Sequence, residues 1–88
     1  MSDDIPMLPP IGVPFKRGEF VLITCNGRTV EGMVTLASPN GRSLMLMFEA
    51  ILDGYAGKMQ VFQRDDGTFV AIINSAPVEI RRKHEAMH

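Results

Sequence analysis

From Glu19 onward the chain alternates short apolar runs with turn signals. Glu19–Cys25 is a β-branched and aromatic run that ends on Asn26-Gly27, a dipeptide that enters positive φ readily and is the strongest short hairpin signal. Arg28–Ala37 sets Val30, Gly32, Val34 and Leu36 against Glu31, Met33 and Thr35, then meets Ser38-Pro39-Asn40-Gly41. Arg42–Glu49 places Leu44, Leu46 and Phe48 on one side and Met45 and Met47 on the other. Lys58–Arg64 is a fourth run, closed by Asp65-Asp66-Gly67, and Thr68–Ile73 is a fifth. Val78–Arg81 is a short sixth after Asn74-Ser75-Ala76-Pro77. A period of two predicts strands, and hairpin turns in succession predict an antiparallel meander. Ala50–Gly57 breaks the rhythm. Gly54 and Gly57 stop a helix from growing out of Glu49-Ala50-Ile51-Leu52, so the segment reads as a loop with at most one helical turn.

Strands this short and this many, within residues 19–82, predict an all-β small barrel, because an open sheet would leave edges and one face bare. The turn containing Pro77 and the brief strand after it resemble the last turn and strand of SH3-like barrels, which implies a fold and no function. Residues 1–18 hold Pro6, Pro9, Pro10 and Pro14, which fix φ and remove backbone donors. Their apolar companions Ile5, Met7, Leu8, Ile11, Val13 and Phe15 favour a proline-rich strap across the domain over an unstructured leader. Residues 83–88 read as a charged, flexible tail.

The runs are apolar on both faces, where a half-buried strand alternates apolar with polar. Phe20 and Leu22 oppose Val21, Ile23 and Cys25; Leu44, Leu46 and Phe48 oppose Met45 and Met47; Phe69, Ala71 and Ile73 oppose Val70 and Ile72. A small barrel accepts one set inside. Either the strap and the 50–57 loop cover the other, or the strap covers part and a second subunit the rest, and Met33, Met45 and Met47 mark the expected contact surface. Methionine suits such a surface because its flexible thioether adapts to a partner.

Composition narrows the function. The chain of 88 residues is 45% hydrophobic and 22% charged, with a formal charge of −1, seven methionines and no tryptophan. That balance offers no overall field for nucleic acid or anionic lipid, and no apolar run is long enough to span a bilayer. The one cysteine, Cys25, excludes an intrachain disulfide. The acidic Met1-Ser2-Asp3-Asp4 start lacks a signal-peptide pattern, which makes the cytoplasm the expected compartment.

Candidate chemistry is sparse. Cys25 has no histidine near it in sequence, and His84 and His88 stand together in the tail; two ligands at a chain end make a poor metal site. Asp65-Asp66-Gly67 is a turn before it is a metal loop. No catalytic residue, cofactor or metal is therefore expected. Two loops carry more polar and special-backbone residues than a connection needs: Ser38, Asn40 and Arg42 in one, Asp53 and Tyr55 in the other. A nucleic-acid surface would draw on Arg28, Arg42 and the Arg81-Arg82-Lys83 cluster, with Lys16-Arg17 nearby and Phe62 or Tyr55 as the stacking aromatic.

Asn26-Gly27-Arg28-Thr29-Val30-Glu31-Gly32-Met33-Val34 resembles the early turn and glycine-bearing strand of Sm-like RNA-binding domains. The family's RNA-contacting aspartate and asparagine have no counterparts in Thr35–Leu46, and its late Arg-Gly motif is absent from Phe69–Ile73. Ser38-Pro39-Asn40-Gly41 resembles the second motif of PilZ cyclic-dinucleotide domains, with Leu36 where that family carries Asp or Asn and no paired arginines ahead of the barrel. Met59-Gln60-Val61-Phe62 is similar to a stretch of the plasmid-type dihydrofolate reductases, which are oligomeric barrels, and that resemblance implies NADPH binding. The chain as a whole is most similar to small bacterial barrel proteins of unassigned function. The expected role is a non-catalytic binding or assembly module, a homo-oligomer such as a dimer or a partner-docking domain. A nucleic-acid or nucleotide binder of Sm-like or PilZ-like type is the alternative.

Overall fold

The computed structural model describes Gly12 and residues 14–52 and 54–83. Residues 1–11 and Val13 of the strap expected over residues 1–18, the loop residue Asp53 and the tail from His84 onward lie outside these. Six strands, β1 (Phe20–Cys25), β2 (Arg28–Ala37), β3 (Ser43–Leu52), β4 (Tyr55–Gln63), β5 (Phe69–Ala71) and β6 (Pro77–Arg82), pair antiparallel in chain order. β6 returns to β1, with Ile23 opposite Ile80, and closes the barrel. Among the described residues no helix is long and apolar enough to cross a membrane.

The hairpin between β1 and β2 follows from the Asn26-Gly27 pair. Both residues take positive φ, 56° and 82°, which a type I′ turn requires and which matches the twist of the flanking strands. The core then fills from one face of each strand: Val21, Ile23 and Cys25 from β1, Leu44, Leu46 and Phe48 from β3, Met59 and Val61 from β4. Gly32 of β2 faces the same interior. A Cβ there would stand 2.6 Å from the Met47 carbonyl oxygen and 2.7 Å from Ile23 Cδ1. The strands can approach this closely only because that position is glycine.

Two irregularities change what the alternation predicts. Between Val34 and Leu36 the register against β3 slips by one residue, so Val34 faces Leu46 but Leu36 faces Met45. A one-residue bulge exchanges the faces. Leu36 therefore points out, 59% exposed, and Ala37 takes its place against the core. The Thr35 hydroxyl, donating to the Met45 carbonyl at 3.2 Å, stitches the bulge. The second slip lies between β3 and β4, where Met47 to Ile51 spans four residues against two from Lys58 to Ala56. Gly57 sits there at φ 84°.

The segment Ala50–Gly57 is consequently no loop. β3 runs on to Leu52 and β4 restarts at Tyr55, and the glycines serve a tight turn and a bulge rather than an open connection. The fifth run is also shorter than its sequence suggests. β5 ends at Ala71, and Ile72–Asn74 turn outward, leaving Ile73 85% exposed.

Residues 14–19 close one end of the barrel. Phe15 packs edge-on against Phe69 at 6.0 Å. The Arg82 guanidinium lies over the Phe15 ring at 4.3 Å, donates to the Pro14 carbonyl at 2.9 Å and pairs with Glu19. Gly41, at φ 73°, lets the neighbouring loop pass Pro14 where a Cβ would stand 2.5 Å away.

Candidate partner-docking face

The outer surface of β1–β3 gathers the methionines. Phe20 is the cross-strand partner of Met33, and Met33 is the partner of Met47. One step along β3, Met45 faces Leu36. Met33 and Met45 are half-buried by these neighbours, while Phe20 and Met47 remain 57% and 51% exposed. Cross-strand neighbours lie about 5 Å apart and i, i+2 neighbours about 7 Å, so the five side chains form one continuous apolar surface. Met33, Met45 and Met47, the expected contact residues, are neighbours on this surface. Phe20 and Leu36 join them, the latter only because of the bulge, which no glycine announces at that point.

A groove of about 690 Å³ borders this surface, lined by Phe20, Val30, Gly32, Met33, Met47 and Phe48 together with Glu31, Glu49 and Ala50. It opens because pairing between β2 and β3 ends at Gly32 and Phe48, while β3 continues to Leu52 with β4 alone. Two carboxylates, Glu31 and Glu49, line it, and Lys58 stands across from Met47 on β4. Glu31 accepts from Lys83 Nζ at 3.1 Å. Glu49 and Lys58 are exposed, and neither has an ion-pair partner among the described residues.

The Ser38–Arg42 loop is occupied with itself. Asn40 Oδ1 accepts from Ser38 Oγ at 2.8 Å and from the Arg42 amide at 3.1 Å, and Ser38 Oγ in turn accepts from the Ser43 amide at 3.0 Å. These bonds hold the turn into β3. Arg42 is 3% exposed. Its Nε and Nη2 donate to the Gln63 carbonyl at 3.3 and 3.0 Å, Nη2 also reaches Asp65, and the guanidinium lies 5.8 Å from the Phe62 ring. It ties the start of β3 to the end of β4. Tyr55 stands on β4 rather than in a loop, half-buried against the core, with its hydroxyl donating to Asn74 Oδ1 at 3.2 Å.

The basic residues do not assemble into one surface. Arg28 faces Cys25 at the hairpin end of β1, whereas Arg82 faces Val21 at the other end. Arg81 is exposed with Glu79 at 4.0 Å, and Arg82 and Lys83 are engaged by Glu19 and Glu31. The closure does bring the start of β1 beside the end of β6, where Glu19 pairs with Arg82 and also accepts from the Lys16 amide. Phe62, the expected stacking aromatic, lies with Arg42 instead. Cys25 is buried in the core. No group of three or more potential metal ligands gathers among the described residues. Asp66 titrates below the ordinary carboxylate range because the Thr68 hydroxyl and amide both donate to it, at 2.6 and 2.9 Å. It is fully exposed and shapes its own turn.

Comparison with known families, curated proteins and solved structures finds no match. The resemblances to Sm-like and PilZ domains therefore rest on their short motifs alone. The serine and glycine of the PilZ-like stretch build the turn before β3, and the Sm-like stretch supplies the first hairpin.

Proposed function

We propose that this protein is a non-catalytic assembly module that self-associates through the outer face of β1–β3. The observation that carries the reading is the continuous row Phe20, Met33 and Met47 with Leu36 and Met45, left open by the described chain. A contiguous exposed apolar patch on a small domain is characteristic of an interaction surface, and depletion of charge at its centre with charge at its edges is the anatomy of an interface. Burying the patch against a second copy removes it from water on both sides at once.

The nucleic-acid reading draws less support. Arg42 is buried in a structural contact, Arg28 lies at the opposite end of the barrel from residues 81–83, and Arg82 and Lys83 are paired with Glu19 and Glu31. Sedimentation equilibrium across the micromolar range tests the proposal. A concentration-dependent dimer that Met47→Lys converts to a folded monomer supports it, and a wild-type monomer at every concentration refutes it.

A further inference from the structure

The outer face can be laid out as a small grid, and its charges select one way for two copies to meet. Met45, Met47 and Glu49 follow one another along β3 on the outward side. Met33 lies across from Met47 on β2, and Lys58 lies across from it on β4. Met47 is thus the centre of a cross whose arms are Glu49, Lys58, Met45 and Met33. Leu36 and Gln60 flank Met45 on the two neighbouring strands.

A symmetric dimer formed face to face has its twofold axis in the plane between the two sheets, and each residue meets the mirror image of its grid position. An axis along β3 sets Glu49 on Glu49 of the other copy. An axis across the strands sets Lys58 on Lys58. One diagonal sets Glu49 on Met33 and Lys58 on Met45, which strips both charges of water against apolar groups without a partner. The other diagonal exchanges Glu49 with Lys58 and Met33 with Met45, and keeps Met47 and Leu36 on the axis against their own copies. The same operation brings Gln60 over Glu31, an amide donor over a carboxylate.

We infer that a second copy of this chain docks about that diagonal, its strands crossing those of the first at nearly a right angle, with reciprocal Glu49–Lys58 pairs flanking a methionine–leucine centre. The inference rests on the self-association reading. Near-orthogonal crossing is an established way for two sheets to pack. Unequal spacing, about 7 Å along a strand and about 5 Å across, leaves an offset of about 2 Å that the long Lys58 side chain spans. Neither charge has a competing ion pair among the described residues of its own chain.

The test uses Glu49→Lys and Lys58→Glu, each of which sets like charges together twice in a dimer. Each variant alone dissociates at a concentration about tenfold or more above wild type. Mixed in equal amounts, they form a heterodimer within about threefold of wild-type affinity, because both pairs again join opposite charges, one with its sign reversed and one as in the wild type. The double variant Glu49→Lys/Lys58→Glu behaves like the mixture. Both positions are exposed, and thermal unfolding confirms that each variant is folded. A wild-type dimer that Met47→Lys breaks, but whose affinity neither charge variant changes or whose mixture stays dissociated, overturns the diagonal docking and leaves self-association standing. A wild type that never dimerises overturns both.

Discussion

The closed end of the barrel and the outer face of β1–β3 use similar residues to opposite effect. At the closed end, Phe15 finds Phe69, Arg82 finds Phe15, Glu19 and the Pro14 carbonyl, and Arg42 finds the Gln63 carbonyl and Phe62. Apolar and charged groups there satisfy one another within the chain. On the outer face, Phe20, Leu36 and Met47 are more than half exposed, with Glu49 and Lys58 beside them lacking ion pairs among the described residues. The contrast separates groups that are satisfied within the fold from groups that the proposed self-association would cover. Mutations at the first should cost stability and leave assembly dependent on folding alone. Mutations at the second should cost assembly and leave stability nearly intact.

The largest effect is expected at Gly32, where β2 packs closely on Ile23 of the core and on the backbone of β3. Gly32→Ala drives a methyl group into the Met47 carbonyl and Ile23, and overpacking of this kind costs about 1–3 kcal/mol or more. A melting temperature lowered by about 10 °C or more is expected, together with weaker dimerisation because β3 must shift. An unchanged melting temperature would mean that the strands are less closely apposed than the geometry requires. Next comes Arg42→Ala, which removes two donors from the Gln63 carbonyl and the link to Asp65 and is expected to cost about 1–3 kcal/mol. Its dimer, once folded, should retain wild-type affinity. A selective loss of association instead would place Arg42 in the interface and erase the contrast.

Much of this architecture is legible in the chain. Asn26-Gly27, the alternating runs and the doubled apolar faces lead to an antiparallel barrel and to a methionine surface, because hairpin chemistry and a period of two are local properties. What is not legible depends on register. Leu36 reads as a core residue until the bulge beside Val34 turns it outward, and a bulge is decided by how two strands fit, not by either alone. Gly54 and Gly57 read as a loop because glycine serves open connections and bulged strands equally well. The polar loop at Ser38–Arg42 reads as a site because its residues hydrogen-bond readily. That they bond one another becomes visible only once the chain is folded.

Smaller effects sharpen the comparison from the other side. Met47→Lys and Leu36→Ser should change unfolding free energy by no more than about 0.5 kcal/mol under conditions where the protein is monomeric, since both side chains are exposed in the single chain. A drop of several kcal/mol in the monomer would mean that the outer face supports the barrel itself. The smallest effect concerns Asp66. Its carboxylate titrates low because Thr68 donates to it, so the stabilisation is present above its ordinary value, near pH 4, and is lost as the pH falls through the lowered native value. Thr68→Val should lower the melting temperature slightly at neutral pH, with the difference narrowing in acid. A difference that does not change with pH would assign the effect to packing.

Methionine methyl resonances followed on dilution test the interface most directly. Met59 is buried in the core at 1% exposure and serves as the internal reference, while Met33, Met45 and Met47 lie on the proposed contact surface. The account predicts that the methyl signals of Met33, Met45 and Met47 move together as the protein is diluted through its dissociation constant and that Met59 stays still. Signals of the three outer methionines that hold their positions at every concentration, or that move only in step with Met59, would contradict it.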